Sequence, residues 1–377
     1  MPPMSDLALD ALAQLTDTVR AAAAHAQPLR LRGGHTKHFS HASPEGDVLD
    51  LRPLRGITSY EPSELVVTVR SGTPLAELEA VLAERGQCLP FEPPHFGEPG
   101  LGTVGGMVAA GWSGPARASV GAVRDYVLGL TLLNGHGELL TFGGQVMKNV
   151  AGYDVSRLLV GSWGTLGVMT EVSLKVLPIA PAEATLKFTC SQAQALTWLH
   201  AWGGQPLPLN ASCWVEDAGV GTLYLRLRGA VAAVDAACRN LGGERLDTAA
   251  AAADWDACRD QRLPWFTARK ADHCLWRLSV PQTAPVLTLP AGVAAPLVEW
   301  HGGQRWVHAT FDQAQALHAV AAQVGGHVSL FRAGADAAAP HEGARTALSA
   351  PLERIHQRLR AEFDPAGIFN RGLKVAG

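Results

Sequence analysis

Gly100-Leu101-Gly102-Thr103-Val104-Gly105-Gly106 is the stretch that decides the interpretation of the fold. It contains a GxGxxG pattern at positions 100, 102 and 105, and Asp125 follows twenty residues after the last of these glycines, as in a Rossmann fingerprint. A Rossmann glycine loop comes directly after a hydrophobic strand and opens a helix. Here PPHFGEP (93–99) precedes the loop, and glycine and proline interrupt residues 111–115. The sequence therefore predicts a loop of backbone amides around a phosphate and excludes a nicotinamide-binding Rossmann turn.

Two more glycine-rich clusters lie on either side of this stretch. RGGHT (32–36) follows a short predicted strand at 29–31, and GSWGTLGV (161–168) follows KNVAGYD (148–154). Adjacent glycines allow positive φ and can direct several N–H groups to one point, which suits a pyrophosphate. An ordinary glycine turn in the first cluster and a helix end at Gly161 are the simpler alternatives. Three such loops between strands, without a metal motif, favour a bound dinucleotide.

The remainder of the first half alternates helices with strands. Leu9, Leu12, Leu15 and Val19 recur at helical spacing and predict an N-terminal helix with one apolar face. A second helix is predicted with Thr73 as its cap, Pro74 at its first position and Gly86 at its end. Strands are predicted at 65–69, 127–133, 138–142 and 168–177, the middle two forming a hairpin. Residues 97–121 are predicted to be mostly loop, and a short helix is predicted at about 154–160.

The composition changes at PIAP (178–181), after which eight of the ten tryptophans lie. Short predicted strands, such as 222–227 and 274–280, alternate there with alanine-rich helical segments. The alanine-rich run 333–340 is predicted to be a linker, and a last helix is predicted at about 349–362. The whole pattern predicts an α+β fold.

The bulk properties exclude several classes of protein. A net charge of −3, with no block of like charges, does not provide the basic surface that nucleic acid or an anionic membrane requires. No secretory signal pattern and no long apolar run is present, so we expect a cytoplasmic chain that reaches a membrane only through partner subunits. The six cysteines form no CxxC pair and are interpreted as free thiols.

At these residues the sequence resembles the PCMH-type, or vanillyl-alcohol-oxidase-type, family of FAD-binding domains. The stretches that carry the resemblance are the glycine loops at 32–37 and 102–106, GAVRDYV (121–127), the run 152–168 and the tail FDPAGIFN (363–370). The residues that it implies for FAD binding are Arg32, Gly33, Gly34, His35, Thr36, Lys37, Pro94, Gly102, Thr103, Val104, Gly105, Gly106, Ser113, Gly114, Gly152, Tyr153, Gly167, Val168 and Asn370.

The same resemblance implies the domain organisation. We expect a two-lobed α+β FAD-binding domain over 1–181, an α+β cap or substrate domain over 182–345, and a C-terminal helix and tail over 346–377 that return to the FAD domain. FAD is expected to be bound without a covalent bond. Some members of the family attach FAD through a histidine of the first glycine loop, which makes covalent attachment through His35 the alternative.

Within that family the sequence is similar to the FAD-binding subunits of bacterial glycolate oxidases, notably over 91–97, 142–154 and 275–279. This similarity implies a complex with a catalytic flavoprotein subunit and an iron–sulfur subunit. The complex would oxidise glycolate, a small 2-hydroxy acid, to glyoxylate and pass electrons to an acceptor other than O₂.

The catalytic residues are harder to predict. Relatives that oxidise such acids alone carry a metal-binding histidine cluster, and the histidines here have no metal-ligand spacing, so no metal is expected. Arg277 and Arg332 are candidates to face a carboxylate, and His327 is a candidate base, although a salt bridge or a structural histidine would explain each one alone. Two alternatives therefore stay open: a non-catalytic FAD-binding subunit for electron relay or assembly, and a self-sufficient oxidase of a sugar lactone or alcohol.

Overall fold

The chain divides into two compact units. The first comprises Met1–Trp112, Ala122–Ile179 and Leu348–Gly377, and the second comprises Ser113–Gly121 and Ala180–Ala347. The computed structural model describes residues 6–40, 43–144, 154–217, 219–335 and 344–373. Helices and strands are mixed in both units, so the predicted α+β class is confirmed. Segment Ser113–Gly121 belongs to the second unit although it lies within the first predicted domain.

The secondary-structure elements are numbered along the chain. The helices are α1 Asp6–Ala24, α2 Leu75–Ala83, α3 Val104–Ala110, α4 Arg117–Val120, α5 Val155–Leu158, α6 Gln192–Gly203, α7 Val231–Leu241, α8 Thr248–Arg259, α9 Pro264–Thr267, α10 Ala314–Gln323 and α11 Ala350–Phe363. The strands are β1 Leu29–Arg32, β2 Asp47–Asp50, β3 Ile57–Glu61, β4 Val66–Arg70, β5 Gln87–Cys88, β6 Val127–Leu133, β7 Leu139–Gly143, β8 Val168–Lys175, β9 Leu177–Pro178, β10 Ala182–Thr189, β11 Leu209–Asp217, β12 Val220–Gly229, β13 Glu244–Arg245, β14 Cys274–Ser279, β15 Leu297–Glu299, β16 Gln304–Ala309 and β17 His327–Arg332.

The first unit is organised around a five-stranded antiparallel sheet with the order β3-β4-β8-β6-β7. A parallel pair, β1 and β2, forms a separate small sheet, and β5 pairs with β9. The predicted hairpin is β6 and β7, joined through Asn134, whose side-chain oxygen accepts hydrogen bonds from the amides of His136 and Glu138. This turn explains why the loop is longer than two residues.

Helix α1 covers the small sheet of the first unit. Leu15 and Val19, on the apolar face that the spacing predicts, are buried against Leu29 of β1 and against Ile368 and Phe369 of the tail. At roughly 1.5–3 kcal/mol for each large apolar side chain buried, this contact is a main source of stability for the lobe. The N-terminal helix and the C-terminal tail therefore share one core.

The second unit carries an eight-stranded antiparallel sheet with the order β13-β10-β12-β11-β15-β16-β14-β17. At its β14 end, Trp276 packs with Leu317 of α10 in a buried core. Successive residues of a strand point to opposite faces. Arg277 therefore lies on the other face, together with its cross-strand partners Trp306 and Ser329.

Two sequence-based predictions about helices were wrong. Thr73 does not cap α2: Pro74 holds that position, and the Thr73 hydroxyl accepts a hydrogen bond from the amide of Gly56 at 2.9 Å instead. The stretch predicted to be loop contains α3, which Thr103 caps by accepting from the amide of Gly106 at 3.2 Å. Its glycines are poor helix formers, but burial of Val104 and its neighbours in the core offsets that cost.

Three remaining observations bear on the predictions from composition. The six cysteines are free. Within the ranges given above, no helix is both long and apolar enough to cross a membrane. The predicted linker at 333–340 lies mostly outside the described residues, as does the motif region 145–153.

Candidate functional site

A cavity of about 410 Å³ opens in the first unit. Its wall comes mainly from residues 30–38, α3 with Thr103, residues 163–169, and the tail at Asn370 and Leu373. Ser43, Pro44, Leu51 and Ser71 complete it. The first three contain the glycine clusters that the sequence singled out. The fold thus brings those clusters to one place.

Two glycines allow these segments to touch. A Cβ atom on Gly34 would lie 1.5 Å from the carbonyl oxygen of Leu101, and one on Gly105 would lie 2.6 Å from the Cβ of Ser71. Neither distance is sterically possible without backbone movement, so no other residue fits. By contrast, a Cβ on Gly102 would meet no atom within 4 Å. Gly34 and Gly105 are therefore required by close packing, and Gly102 is not.

Two polar side chains in the wall favour an anionic ligand. The Ser71 hydroxyl is buried and makes no hydrogen bond within the described part of the chain. Burial lowers the pKa of the Lys37 ammonium group to about 8. An unpaired buried hydroxyl and a partly desolvated ammonium group are both unfavourable. A phosphate oxygen would accept hydrogen bonds from both, and its negative charge would raise the pKa of Lys37 again.

The C-terminal tail closes one side of the cavity. Asn370 accepts a hydrogen bond from the amide of Leu31 at 2.8 Å and donates one to the carbonyl of Trp163 at 2.7 Å. Asp364 holds the turn before it, because its carboxylate accepts from the amides of Ile368 and Phe369 at 3.0 and 2.8 Å. Burial raises the pKa of the Asp364 carboxyl, although these amide contacts oppose the shift. The tail is thus built into the first unit by its own hydrogen bonds.

His35 lines the cavity in an unusual backbone conformation. Its φ is 54°, in the left-handed region that few non-glycine residues adopt. Its exposed ring stacks on that of His38, with 4.8 Å between centroids. Burial, and then the charge of His38, lower its pKa, so the imidazole is neutral near pH 7. His35 is accessible to a ligand in the cavity.

An aromatic cluster behind the cavity was not predicted. Trp163, which lines the cavity with a φ of 53°, packs edge-on against Trp112 at 5.2 Å. Trp112 in turn contacts Phe96 and Phe39 at 5.7 and 6.1 Å. The one sequence signal for this cluster was Trp163, a tryptophan inside the third glycine cluster. These rings support the loop that approaches the tail.

The predicted FAD-binding residues fall into three groups. Those that line the cavity are Arg32, Gly33, Gly34, His35, Thr36, Lys37, Thr103, Gly105, Gly106, Gly167 and Asn370. Those described but outside its lining are Pro94, Gly102, Val104, Ser113, Gly114 and Val168; Val104 and Val168 are fully buried in the hydrophobic cores, and Ser113 and Gly114 belong to the second unit. Gly152 and Tyr153 lie outside the described residues.

The candidate catalytic residues lie on the last two strands of the second sheet. Arg277 pairs across β14 and β17 with Ser329, and Ser279 pairs with His327. Burial, and then the charges of Arg277 and Arg117, lower the pKa of His327. Arg332 has a different charged neighbour, Arg269. Burial lowers the pKa of Arg332 to about 10, and the charge of Arg269 contributes to the shift. The structure therefore groups Arg277 with His327 and separates Arg332 from them.

Arg117 and Arg345 are cations near Arg277 that the sequence reasoning missed. Arg117 lies on α4 and Arg345 follows the predicted linker, so no local motif connects them with β14. Ser329 forms an isolated bridge to Arg345, which extends the row that begins with Arg277. No group of three or more potential metal ligands occurs among the described residues.

Comparisons with known proteins agree with a flavin site. Residues 7–143 match the model of a family described as an FAD binding domain. The glycolate oxidase subunit GlcE of Escherichia coli (strain K12) is 44% identical over 362 residues, which cover 96% of this chain and 97% of that subunit. The glycolate oxidase subunit GlcD of Bacillus subtilis (strain 168) is 32% identical over 164 residues, which cover 43% of this chain and 34% of that subunit.

A solved structure of an alkyldihydroxyacetonephosphate synthase superposes with a TM-score of 0.67 and covers 96% of this chain and 74% of its own. Only 15% of the aligned residues are identical, so this similarity concerns the fold. The cavity fits FAD at its diphosphate: the glycine backbones, Ser71 and Lys37 are the donors that such a group needs.

Proposed function

The chain belongs to the family of the glycolate oxidase subunit GlcE, an FAD-binding oxidoreductase family, and on that premise we propose that it is the FAD-binding subunit of a complex that oxidises glycolate to glyoxylate. The observation that carries the proposal is the 44% identity, because it extends over 96% of this chain and thus includes both units. A fold similarity alone would not support a substrate.

The proposal includes two partner subunits. One is a catalytic flavoprotein similar to GlcD, whose relative in Bacillus subtilis matches part of this chain. The other is an iron–sulfur subunit, of the kind called GlcF. Oxidation of glycolate to glyoxylate removes two electrons and two protons. The electrons leave to the iron–sulfur partner and the protons to solvent, so turnover requires the complex.

The residues of the cavity hold the cofactor in this proposal. Bound FAD supplies the two-electron acceptor for oxidation of an alcohol. Lys37 and Ser71 bind its diphosphate together with the backbone amides of the glycine loops, and Asn370 fixes the tail that closes the cavity. Such binding needs little net charge on the protein, which agrees with the value of −3.

The residues of the second unit bind the substrate in this proposal. A 2-hydroxy acid needs a cation for its carboxylate and a base near its hydroxyl. Arg277 and Arg332 are the candidate cations, and His327 is the candidate base, since its lowered pKa keeps the imidazole neutral at pH 7.

The test is to reconstitute the complex with a chain that cannot hold FAD. Lys37→Glu places a carboxylate where the diphosphate is proposed to bind, and Lys270→Glu, on the exposed surface of the second unit, is the matched control. Both variants should assemble with the partners. We expect the Lys37→Glu complex to lose one FAD and at least 90% of its glycolate oxidation. Full activity of that complex after loss of this FAD would contradict the proposal.

A further inference from the structure

Arg277 lies inside a group of positive charges. Burial lowers the pKa of its guanidinium to about 10, and the charges of Arg345 and Arg117 contribute to the shift. Among the described residues the guanidinium makes no hydrogen bond and no ion pair. Arg277 is only partly exposed to solvent. Partial desolvation beside two like charges disfavours its charged form, and an anionic ligand would relieve that cost.

The sheet register fixes where these charges are. Arg277, Ser329 and Arg345 are consecutive cross-strand partners, so their side chains point to the same face of the sheet. His327 lies two pairs further along β17, opposite Ser279, and therefore on the same face. The core of α10 occupies the other face. The row thus places cations and a serine hydroxyl beside the buried ring of Trp306, on the face opposite that core.

Arg117 reaches the same place from a distant segment of the chain. Its guanidinium lies 4.4 Å from the ring centroid of Trp300, a cation–π contact. The indole N–H of Trp300 donates to the carbonyl of Gly114 at 3.0 Å. His301 Nε2 is 2.9 Å from the hydroxyl of Ser119. Two neighbouring side chains therefore hold the segment that carries Arg117.

Trp300 and His301, which hold the segment that carries Arg117, have a strained backbone conformation. Both have φ of 53°, and two consecutive bulky residues in the left-handed region are uncommon. His301 is further fixed by Ser212, whose hydroxyl accepts from its amide at 3.0 Å. Strain of this kind persists where surrounding contacts enforce it, typically at functional sites.

We propose that Arg277, Arg117 and Arg345 form a binding site for a small carboxylate, and that Trp300 and His301 are positioning residues that hold Arg117 in it. Guanidinium groups bind carboxylates through two parallel N–H···O contacts, which lysine cannot provide. The choice of a carboxylate as ligand rests on the proposed function. Because the cluster contains Arg277 and not Arg332, it identifies Arg277 as the substrate-binding arginine and adds Arg117 and Arg345 to the site.

The experiment measures binding of oxalate to the FAD-loaded full-length chain by titration calorimetry. Oxalate carries the carboxylate of glycolate but no oxidisable C–H. We expect saturable binding that weakens at least tenfold in Arg277→Met and less in Arg277→Lys. Arg262→Met, at an exposed arginine of the same unit, should bind like the unchanged chain. Absence of oxalate binding, or binding that Arg277→Met leaves unchanged, would overturn the proposal.

Thermal unfolding distinguishes a ligand-binding role of Arg277 from a purely structural one. Without an anion, Arg277→Met should unfold at the same or a higher temperature, because a partly buried cation and its repulsion from Arg117 and Arg345 are removed. Oxalate should raise the unfolding temperature of the unchanged chain and not that of the variant. Unfolding of Arg277→Met at a much lower temperature, with or without oxalate, would instead identify a structural arginine and contradict the site.

A double-mutant cycle tests the positioning residues. Trp300→Phe keeps the ring under Arg117 but removes the hydrogen bond to Gly114. We expect Trp300→Phe alone to bind oxalate about threefold more weakly, or weaker still. The double variant Arg117→Met, Trp300→Phe should bind oxalate as weakly as Arg117→Met alone. Equal losses in both backgrounds would show that Trp300 acts independently of Arg117 and overturn its positioning role.

The two proposals fail in different ways. If oxalate binds through Arg277 but glycolate never reduces the flavin, the carboxylate site stands and the proposed oxidation fails. If glycolate reduces the flavin equally well in Arg277→Met, the oxidation stands and the carboxylate site fails.

Discussion

The side-chain oxygen of Asn370 accepts a hydrogen bond from the backbone amide of Leu31 at 2.8 Å, across 339 positions of the sequence. The same side chain donates to Trp163, and both of these residues line the cavity of the first unit. Asn370 itself has a φ of 45°, which asparagine tolerates better than most residues. The tail is therefore part of the cavity wall where we propose that FAD binds.

Replacement of this asparagine should loosen the site. Asn370→Ala removes two hydrogen bonds and leaves the Leu31 amide without its partner, so we expect a loss of about 1–3 kcal/mol in the free energy of unfolding. FAD should bind at least tenfold more weakly. Urea unfolding and FAD titration measure the two effects. Asn240→Ala, on the exposed surface of the second unit, is the control. Equal FAD affinity in both variants would remove the tail from the site.

The glycine pair Gly34 and Gly102 provides a matched comparison. Gly34→Ala puts a methyl group 1.5 Å from the Leu101 carbonyl, whereas Gly102→Ala meets no atom within 4 Å. We expect Gly34→Ala to lose FAD binding and to be destabilised by more than about 2 kcal/mol, typical of overpacking. Gly102→Ala should change little. FAD titration of the two purified variants checks this, and equal affinities would contradict the close approach of the two loops.

Lys37 should make FAD affinity depend on pH. Its pKa of about 8 in the free cavity lies below the usual value for lysine, and a bound diphosphate would raise it. Affinity should therefore be nearly constant below pH 8 and fall as the pH rises above 8, because FAD must then bind together with a proton. His35 lines the same cavity, but burial lowers its pKa further below that of Lys37.

Fluorescence titration of FAD between pH 7 and 10 measures this dependence. Lys37→Met should bind FAD more weakly at pH 7 and show no decline above pH 8. A decline that persists in Lys37→Met would assign the pH dependence to another group.

The flavin should be released by acid. His35 lines the cavity, but its ring is stacked on His38, and FAD binding is expected to be non-covalent. After acid precipitation of the loaded chain, we expect a colourless pellet and a yellow supernatant. A yellow pellet that becomes colourless in His35→Ala would show covalent attachment and would favour the self-sufficient oxidase.

The first unit was largely predictable because its signals are local. The face of α1, the hairpin and the glycine loops each depend on residues close in sequence, and the resemblance rests on the same stretches. The helix α3 was missed because local propensity argues against glycine in a helix, whereas burial of Val104 and Met107 decides in its favour.

The substrate candidates were less predictable, because their grouping depends on register and long-range contact. Nothing near Arg277 in the sequence indicates that Arg117 and Arg345 act on it. The left-handed pair Trp300 and His301, which holds Arg117, also carries no local signal, since neither residue type favours that conformation. From the sequence, Arg332 and Arg277 were equally good candidates to bind a carboxylate. The structure gives Arg332 a different charged neighbour, Arg269.

Addition of glycolate to the FAD-loaded chain in the absence of oxygen tests the central claim most directly. We predict that the visible absorbance of the flavin bleaches, that the rate of bleaching saturates with glycolate, and that Arg277→Met slows this rate at least tenfold. Continuous turnover should appear only when the partner subunits accept the electrons. A flavin that stays oxidised would contradict substrate oxidation by this chain and would assign it to electron relay within the complex.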